Sequence, residues 1–292
     1  MALLPPFMLD TVVAIGVGDD VSQRRWVGTG FILGDSVGGQ PTQYMPYLVT
    51  NKHVLARHER VWVKLNSANN SDSTDYPVDL RLPGGRQFWT GHSNPDIDVA
   101  VFRLRGDFLQ QQARRFAFFA SDTHLMSRQQ MVDDQVTEGD RVFVLGFPLG
   151  LVDQIRQYPI CRHGILSRIR DCLEGRSLAF LIDASVFPGN SGGPVVICPS
   201  ALAIQGTRSI PRAALIGIVK QYVPYEDVAI SRQTGIPRVS FQENSGLALV
   251  ESIDCVIEAI AEERRTHPQT PIEQPPADST PPSAGTSPPS TS

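Results

Sequence analysis

Pro188-Gly189-Asn190-Ser191-Gly192-Gly193-Pro194 is the stretch that decides how this chain folds and works. Glycines and prolines enclose a single serine. A serine hydroxyl is a weak nucleophile near neutral pH, so it needs a base within hydrogen-bond reach and donors for a developing oxyanion. Gly189 lets the backbone bend so that its own N–H and that of Ser191 converge on one point. Gly192 and Gly193 keep side-chain bulk away from an approaching chain. An ordinary Gly/Ser turn is the plain alternative for a shorter match, and the full seven-residue string argues against it.

Two further elements lie upstream. In Leu48-Val49-Thr50-Asn51-Lys52-His53-Val54-Leu55, an apolar strand delivers a histidine at its edge. An imidazole titrates close to working pH, which suits it as a general base. His53 taken alone fits a half-buried structural role as well as a catalytic one. The other five histidines sit in polar contexts and read as surface residues. In Asp96-Ile97-Asp98-Val99-Ala100-Val101 a carboxylate stands at the mouth of an apolar strand, where it can orient a histidine. Strand-edge aspartates are common, so it is the combination that carries weight. His53 and Asp98 are 45 residues apart and Asp98 and Ser191 are 93 apart, enough to place each on a different strand.

Composition sets limits. The chain has 292 residues, 41% apolar and 19% charged, with a formal net charge of -4, which is ordinary globular composition. Its basic residues form only isolated pairs, so neither nucleic acid nor an anionic membrane is the expected partner. No apolar run approaches the roughly 18 residues of a membrane span. The N-terminal stretch has no basic region and is broken by Pro5-Pro6 and Asp10. It reads as part of the fold and not as a leader, which makes a cytoplasmic location the expectation. Cys161, Cys172, Cys198 and Cys255 have no metal-ligand spacing. Free thiols are the plain reading, with a single Cys161–Cys172 bridge as the alternative.

Short β segments separated by Gly, Pro, Asn and Asp dominate the pattern. They fall at 11–17, 30–33, 47–50, 61–65, 99–104, 141–145, 180–183, 194–197 and 214–219, which suggests an all-β barrel or sandwich. One helix stands out over 252–265, with Ile253, Val256, Ile257 and Ile260 on one face and Ser252 as its N-cap. The segments 66–88, 107–135 and 221–245 read as long connections. From 267 to 292 the chain is Pro-, Ser- and Thr-rich and reads as a disordered tail behind a folded unit spanning 1–266.

These motifs resemble HtrA-type trypsin-like serine peptidases of the chymotrypsin-like superfamily. Gly28-Thr29-Gly30-Phe31-Ile32, Thr50-Asn51-Lys52-His53-Val54, Asp98-Val99-Ala100-Val101, the run from Gly139 to Pro148 and Asp183-Ala184-Ser185 with the nucleophile string are similar to that family's motifs. The His, Asp, Ser order is the one this superfamily uses. The resemblance implies two six-stranded antiparallel β-barrels with a C-terminal helix and a cleft between the barrels. It implies a triad of His53, Asp98 and Ser191, with Asp98 preferred to Asp96, and an oxyanion hole from the N–H groups of Gly189 and Ser191. It implies a serine endopeptidase acting on protein or peptide substrates, without metal or organic cofactor. A substrate pocket follows by the same route from Ser185, Val186, Phe187, Ile218 and Val219. None of these is acidic or basic, so a small or medium apolar P1 residue is expected.

The chain also departs from the pattern. The protease-like region is followed by a helix and a Pro-rich tail, so no PDZ domain is expected after it. Asn190 stands where zymogen-type trypsins have an aspartate that pairs with a newly cut N-terminus. A neutral amide offers no such partner, so activity without N-terminal cleavage is expected. A protease-like scaffold used only for binding is the rival reading, and an intact triad beside an intact oxyanion turn argues against it.

Overall fold

The computed structural model describes residues 4–20, 23–37, 43–66, 73–105, 117–153, 155–200 and 208–267. The Pro-rich segment from 268 to 292 lies outside the described residues.

The N-terminal half forms one eight-stranded sheet. After the short helix α1 (Pro6–Asp10) come β1 (Val12–Val17), β2 (Arg25–Ser36) and β3 (Tyr44–Thr50). The turn-like helix α2 (Lys52–Leu55) leads to β4 (Arg60–Leu65), β5 (Thr74–Asp79), β6 (Thr90–Gly91), β7 (Ala100–Arg103) and β8 (Phe119–Ala120). The strand order is β5-β4-β1-β2-β3-β7-β6, with β8 parallel to β2. The C-terminal half is a closed barrel of six strands, in the order β10-β11-β14-β13-β12-β9. These are β9 (Arg141–Gly146), β10 (Ile160–Arg168), β11 (Ala179–Asp183), β12 (Pro194–Ile197), β13 (Ala214–Ile230) and β14 (Pro237–Ser252). Helix α3 (Arg128–Asp133) precedes β9, and α4 (Arg170–Leu173) joins β10 to β11.

The all-β architecture with a C-terminal helix is as expected. The N-terminal unit is a half-barrel sheet: among the described residues β5 and β6 form no ladder, and only a bridge from Arg81 to Gln87 joins the segments between them. All nine expected strands are present. The stretches read as connections contain more structure: β5 lies within 66–88, and β8 and α3 within 107–135. The 221–245 segment is not a loop. It holds the outer halves of β13 and β14, paired with each other from Pro224↔Asn244 to Ile230↔Pro237.

Alternation along the strands fills three cores. On β2, Ile32 packs inside the N-terminal sheet with Leu48, Val63 and Phe102. Its neighbours Phe31 and Leu33 face a second cluster. That cluster joins the two halves, because it also contains Leu145, Leu215 and Ile218 from the barrel. Val144, Ile182, Val195, Ile216 and Val250 fill the barrel itself.

The last helix, α5 (Ile253–Thr266), belongs to the shared cluster through Ile253, Val256, Ala259 and Ile260. Ser252 caps it by accepting the N–H of Asp254 at 3.3 Å. Ile257 was expected on the apolar face but is exposed. Glu263 is buried on the inner face instead, where its carboxylate accepts from Tyr47 Oη at 2.9 Å and from Arg103 at 2.8 Å. The β9–β10 connection adds a second tie between the halves. Buried Gln157 accepts the N–H of Ala14 and donates to the carbonyl of Val12, both at 3.2 Å.

All four cysteines are free, so the 161–172 bridge is not formed. Burial pushes the thiols of Cys172 and Cys198 up to about 11, and that of Cys255 to about 12. No helix among the described residues is long and apolar enough to cross a membrane.

Candidate active site

β3 and β7 pair with Thr50 opposite Ala100, which sets the end of one strand beside the start of the other. Residues 51–53 therefore meet residue 98. The Asp98 Oδ1 accepts the backbone N–H of His53 at 3.1 Å, and Oδ2 pairs with His53 Nδ1. Two contacts to one carboxylate fix both the ring and the turn that carries it. The Asp98 side chain is sheltered at 17% exposure, while the imidazole is 51% exposed and open on its far edge. Asp98, not Asp96, supplies the carboxylate that meets His53.

Asp98 is itself held from two sides. Its carbonyl accepts from Asn51 Nδ2 at 2.6 Å, and its N–H donates to Glu251 Oε1 at 3.3 Å. Glu251 is buried and paired with Lys220 at 2.9 Å. Lys220 also donates to the carbonyl of Asp96 at 2.7 Å. An ion pair of the barrel, half-buried at Lys220 and buried at Glu251, thus clamps the Asp96–Asp98 turn of the sheet. Nearby, burial lowers the pKa of Lys52 against the opposing pull of the Asp98 and Glu251 carboxylates.

The serine sits on a turn that glycine alone can form. Gly189 has φ +98, and a Cβ there would lie 2.4 Å from the Phe147 carbonyl. Gly192 has φ +85, and a Cβ there would lie 2.0 Å from the Thr29 carbonyl. The turn is pinned through buried Thr29. Its hydroxyl donates to the Gly189 carbonyl at 2.6 Å and accepts the Phe147 N–H at 3.0 Å. Its N–H donates to the Ser191 carbonyl at 2.9 Å, and its carbonyl accepts from Thr50 Oγ1 at 2.7 Å. Thr29 therefore links the serine turn to the strand end that precedes His53.

The Pro188 carbonyl accepts the N–H of Leu149 at 2.6 Å. In a trans peptide the Gly189 N–H then points the opposite way. Among the described residues, neither the Gly189 N–H nor the Ser191 N–H has an acceptor within the protein. Leu149 makes its contact from the left-handed region, at φ 58, where a leucine costs of order 1 kcal/mol. Asn190 is buried, and its N–H and C=O close the turn onto Phe187 at 3.0 Å and Gly193 at 2.8 Å.

The expected pocket residues divide. Ser185 is exposed, and Phe187 is half-buried with the Arg162 guanidinium 5.2 Å from its ring centre. Val186, Ile218 and Val219 have their side chains buried in the cores, so they meet the cleft through main chain only. Val219 does so directly: its carbonyl accepts the Gly192 N–H and its N–H donates to the Gly193 carbonyl, both at 2.9 Å. His92, expected at the surface, is buried, with Nε2 2.9 Å from the Glu258 carboxylate.

Residues 28–198 match the trypsin-like peptidase domain family. The chain belongs to that family. The match covers more than half of the sequence and takes in His53, Asp98 and Ser191. This trypsin-like peptidase is thus a serine peptidase, with polypeptides as its substrate class. Among solved structures, it is similar to the inactive form of Rv3671c protease at 16% identity, TM-score 0.40, covering 87% of this chain and 89% of that one. It is also similar to the Drosophila Grass clip serine protease of the Toll pathway at 12% identity, TM-score 0.47, covering 89% of this chain and 71% of that one. A search of curated proteins finds no match.

The sequence reading missed Thr29, Asn51, Lys220 and Glu251. Thr29 and Asn51 lie inside the quoted motifs, so position was the available signal. Lys220 and Glu251 carry no local signal, because the bond from Asp98 to Glu251 spans 153 residues.

Proposed function

We propose that this protein is a serine endopeptidase in which Ser191 is the nucleophile, His53 the general base and Asp98 the group that orients it. The observation that carries this reading is the double contact of the Asp98 carboxylate with the ring and N–H of His53, on a strand end tied through Thr29 to the serine turn. Asp98 favours the tautomer with its proton on Nδ1 and leaves Nε2 to act as base. His53 takes the Ser191 proton as the oxygen attacks a peptide carbonyl carbon. The negative oxygen of the tetrahedral intermediate is held by the N–H groups of Gly189 and Ser191. His53 then protonates the leaving amine as the C–N bond breaks. Water adds to the acyl-enzyme by the same proton path and releases the acid.

The free N–H groups of Gly189 and Ser191 support a hole formed before substrate arrives, and an oxyanion donor contributes roughly 3 kcal/mol to lowering the barrier. Buried, neutral Asn190 gives no charge for a cut N-terminus to pair with, so the uncut chain is active. The P1 residue is small or medium and apolar, since Ser185 to Phe187 and Ile218 to Val219 bring no charge to the pocket.

A fluorophosphonate probe tests the assignment. Native wild type is labelled, whereas heat-denatured protein and Ser191→Ala are not. Equal labelling of Ser191→Ala would remove the serine from its role. A peptide library in which cleavage follows only Arg or Lys would overturn the P1 reading.

A further inference from the structure

Beyond the barrel, β13 and β14 run on together as a two-stranded ribbon. From Pro224↔Asn244 to Ile230↔Pro237 they pair only with each other. At about 3.3 Å per residue, Pro224 to Ile230 reaches roughly 20 Å. An isolated two-stranded ribbon is marginal in water. This one exposes apolar groups on both faces, with Tyr225, Val239 and Phe241 on one, and Val228 and Ile230 on the other, each 42–60% exposed.

The ribbon's free edge can be identified. Ser245 Oγ donates to the Val223 carbonyl at 2.6 Å, so that carbonyl faces β14. The nitrogen of Pro224, on the opposite side of the same trans peptide, faces outward, where a missing N–H is tolerated. Val228 N–H is also turned away from β14, since it donates to the Asp227 carboxylate at 2.8 Å. Tyr222, Pro224, Glu226 and Val228 therefore present their main chain along one outer edge. It continues the side of β13 that Gly192 and Gly193 occupy at Val219, one residue past the nucleophile. The ribbon's base is tied to the same turn, with Asn244 Nδ2 donating to the Val186 carbonyl at 2.5 Å.

We propose that this edge binds an extended segment of the substrate on the N-terminal side of the cleaved bond. The segment adds as a strand antiparallel to β13, in the manner of β-strand addition. With one substrate residue per strand residue, the ribbon takes in roughly positions P5 to P11. Near the middle of β13, Asp227 shares a face with Glu243, which pairs across from Tyr225, and Glu226 lies on the other face. The matching segment carries apolar residues with Lys or Arg near its middle, opposite these acids. The preferred substrate is thus an unfolded or extended polypeptide with about ten residues free before the cut. The proposal rests on Ser191 as nucleophile, which fixes which end of the edge lies at the cut.

Two peptides with the same P4–P3′ sequence test this, one acetylated at P4 and one extended to P12 with an apolar segment carrying two lysines. Binding is read by fluorescence anisotropy on Ser191→Ala, and cleavage as kcat/KM on the wild type. Strand addition predicts that the long peptide is favoured about tenfold or more in both assays. Val228→Pro removes an outward N–H without touching the β14 ladder, and brings the ratio toward one. Replacing 226–242 with Asn-Gly does the same, and thermal melting checks that each variant folds. Equal binding and cleavage of the two peptides by the parent proteins would overturn the proposal. So would a ribbon-shortened variant that keeps the ratio but changes from dimer to monomer in sedimentation, since the ribbon would then join two copies of the chain. Failure of the catalytic assignment looks different: neither peptide is cut and Ser191 stays unlabelled, while the anisotropy comparison still reads the edge.

Discussion

The N-terminal sheet and the C-terminal barrel furnish the site by opposite means. The sheet supplies side chains, with His53 and Asp98 brought together where β3 ends and β7 begins. The barrel supplies the Ser191 side chain on a main-chain turn whose shape depends on glycines at positive φ and on hydrogen bonds to Thr29. On the proposed assignment, truncating His53 on the sheet should remove chemistry and leave the fold. Disturbing the barrel turn moves donors and disturbs packing at once. The two contributions are then locked by contacts in both directions: Thr29 of the sheet holds the turn, and Glu251 of the barrel holds Asp98.

The sharpest contrast comes from His53→Ala. Peptide cleavage should fall by a factor on the order of 10⁴ or more, while the melting temperature stays close to wild type. A fall of less than tenfold would mean that the sheet's side chains are not the chemistry. Thr29→Val tests the other side with a smaller effect. It preserves shape but leaves the Gly189 carbonyl and Phe147 N–H without their partner. We expect kcat to drop about 10- to 100-fold with KM little changed, since the loss falls on the transition state. The downfield NMR signal of the His53 Nδ1 proton should persist, because the sheet's pair is untouched. Loss of that signal would show that Thr29 acts on both halves of the site and not on the turn alone.

The smallest expected effect lies far from the cleft, in the barrel. Burial pushes the Glu138 carboxyl up, but the N–H groups of Ile169 and Arg170 and the Arg170 charge outweigh it and bring it to about 2 from 4.5. Folding therefore favours the ionised form. The stabilisation is complete above about pH 4.5 and drains away as pH falls toward 2. Glu138→Gln should cost about 1 to 2 kcal/mol at pH 7 by thermal melting, and the gap to wild type should close in acid. A gap independent of pH would show that shape, and not charge, makes the contact.

Much of this was legible in sequence because it was local. The strands with strong apolar runs, the helix after Ser252 and the serine string all announce themselves within a few residues. β10 did not, since Cys161-Arg162-His163-Gly164 breaks any alternation. β5 carries Pro77, tolerated on an edge strand but read as a loop signal. The outer halves of β13 and β14 are punctuated by Pro224, Gly235 and Pro237 and have no buried face, so neither periodicity nor composition marks them as strands. At the site, His53 and Ser191 were visible by motif. The Lys220–Glu251 clamp was not, because tertiary folding alone brings those residues to Asp98. Burial at the expected pocket was not legible either: the side chains of Val186, Ile218 and Val219 are buried in the cores, which leaves their main chain to face the cleft.

Helix α5 has a consequence for the order of events during synthesis. It is made after every residue of the site, yet Ile253, Val256 and Ile260 pack in the cluster between the two halves, and Glu263 bonds to Tyr47 and Arg103 of the sheet. A growing chain folds from its N-terminus as it leaves the ribosome. Until residues 253–266 emerge, the sheet lacks its cover and the barrel lacks its seal against the sheet. On the proposed reading, in which the uncut chain is active, the last helix keeps a finished cleft from forming beside the unfinished chain and serves as its timer.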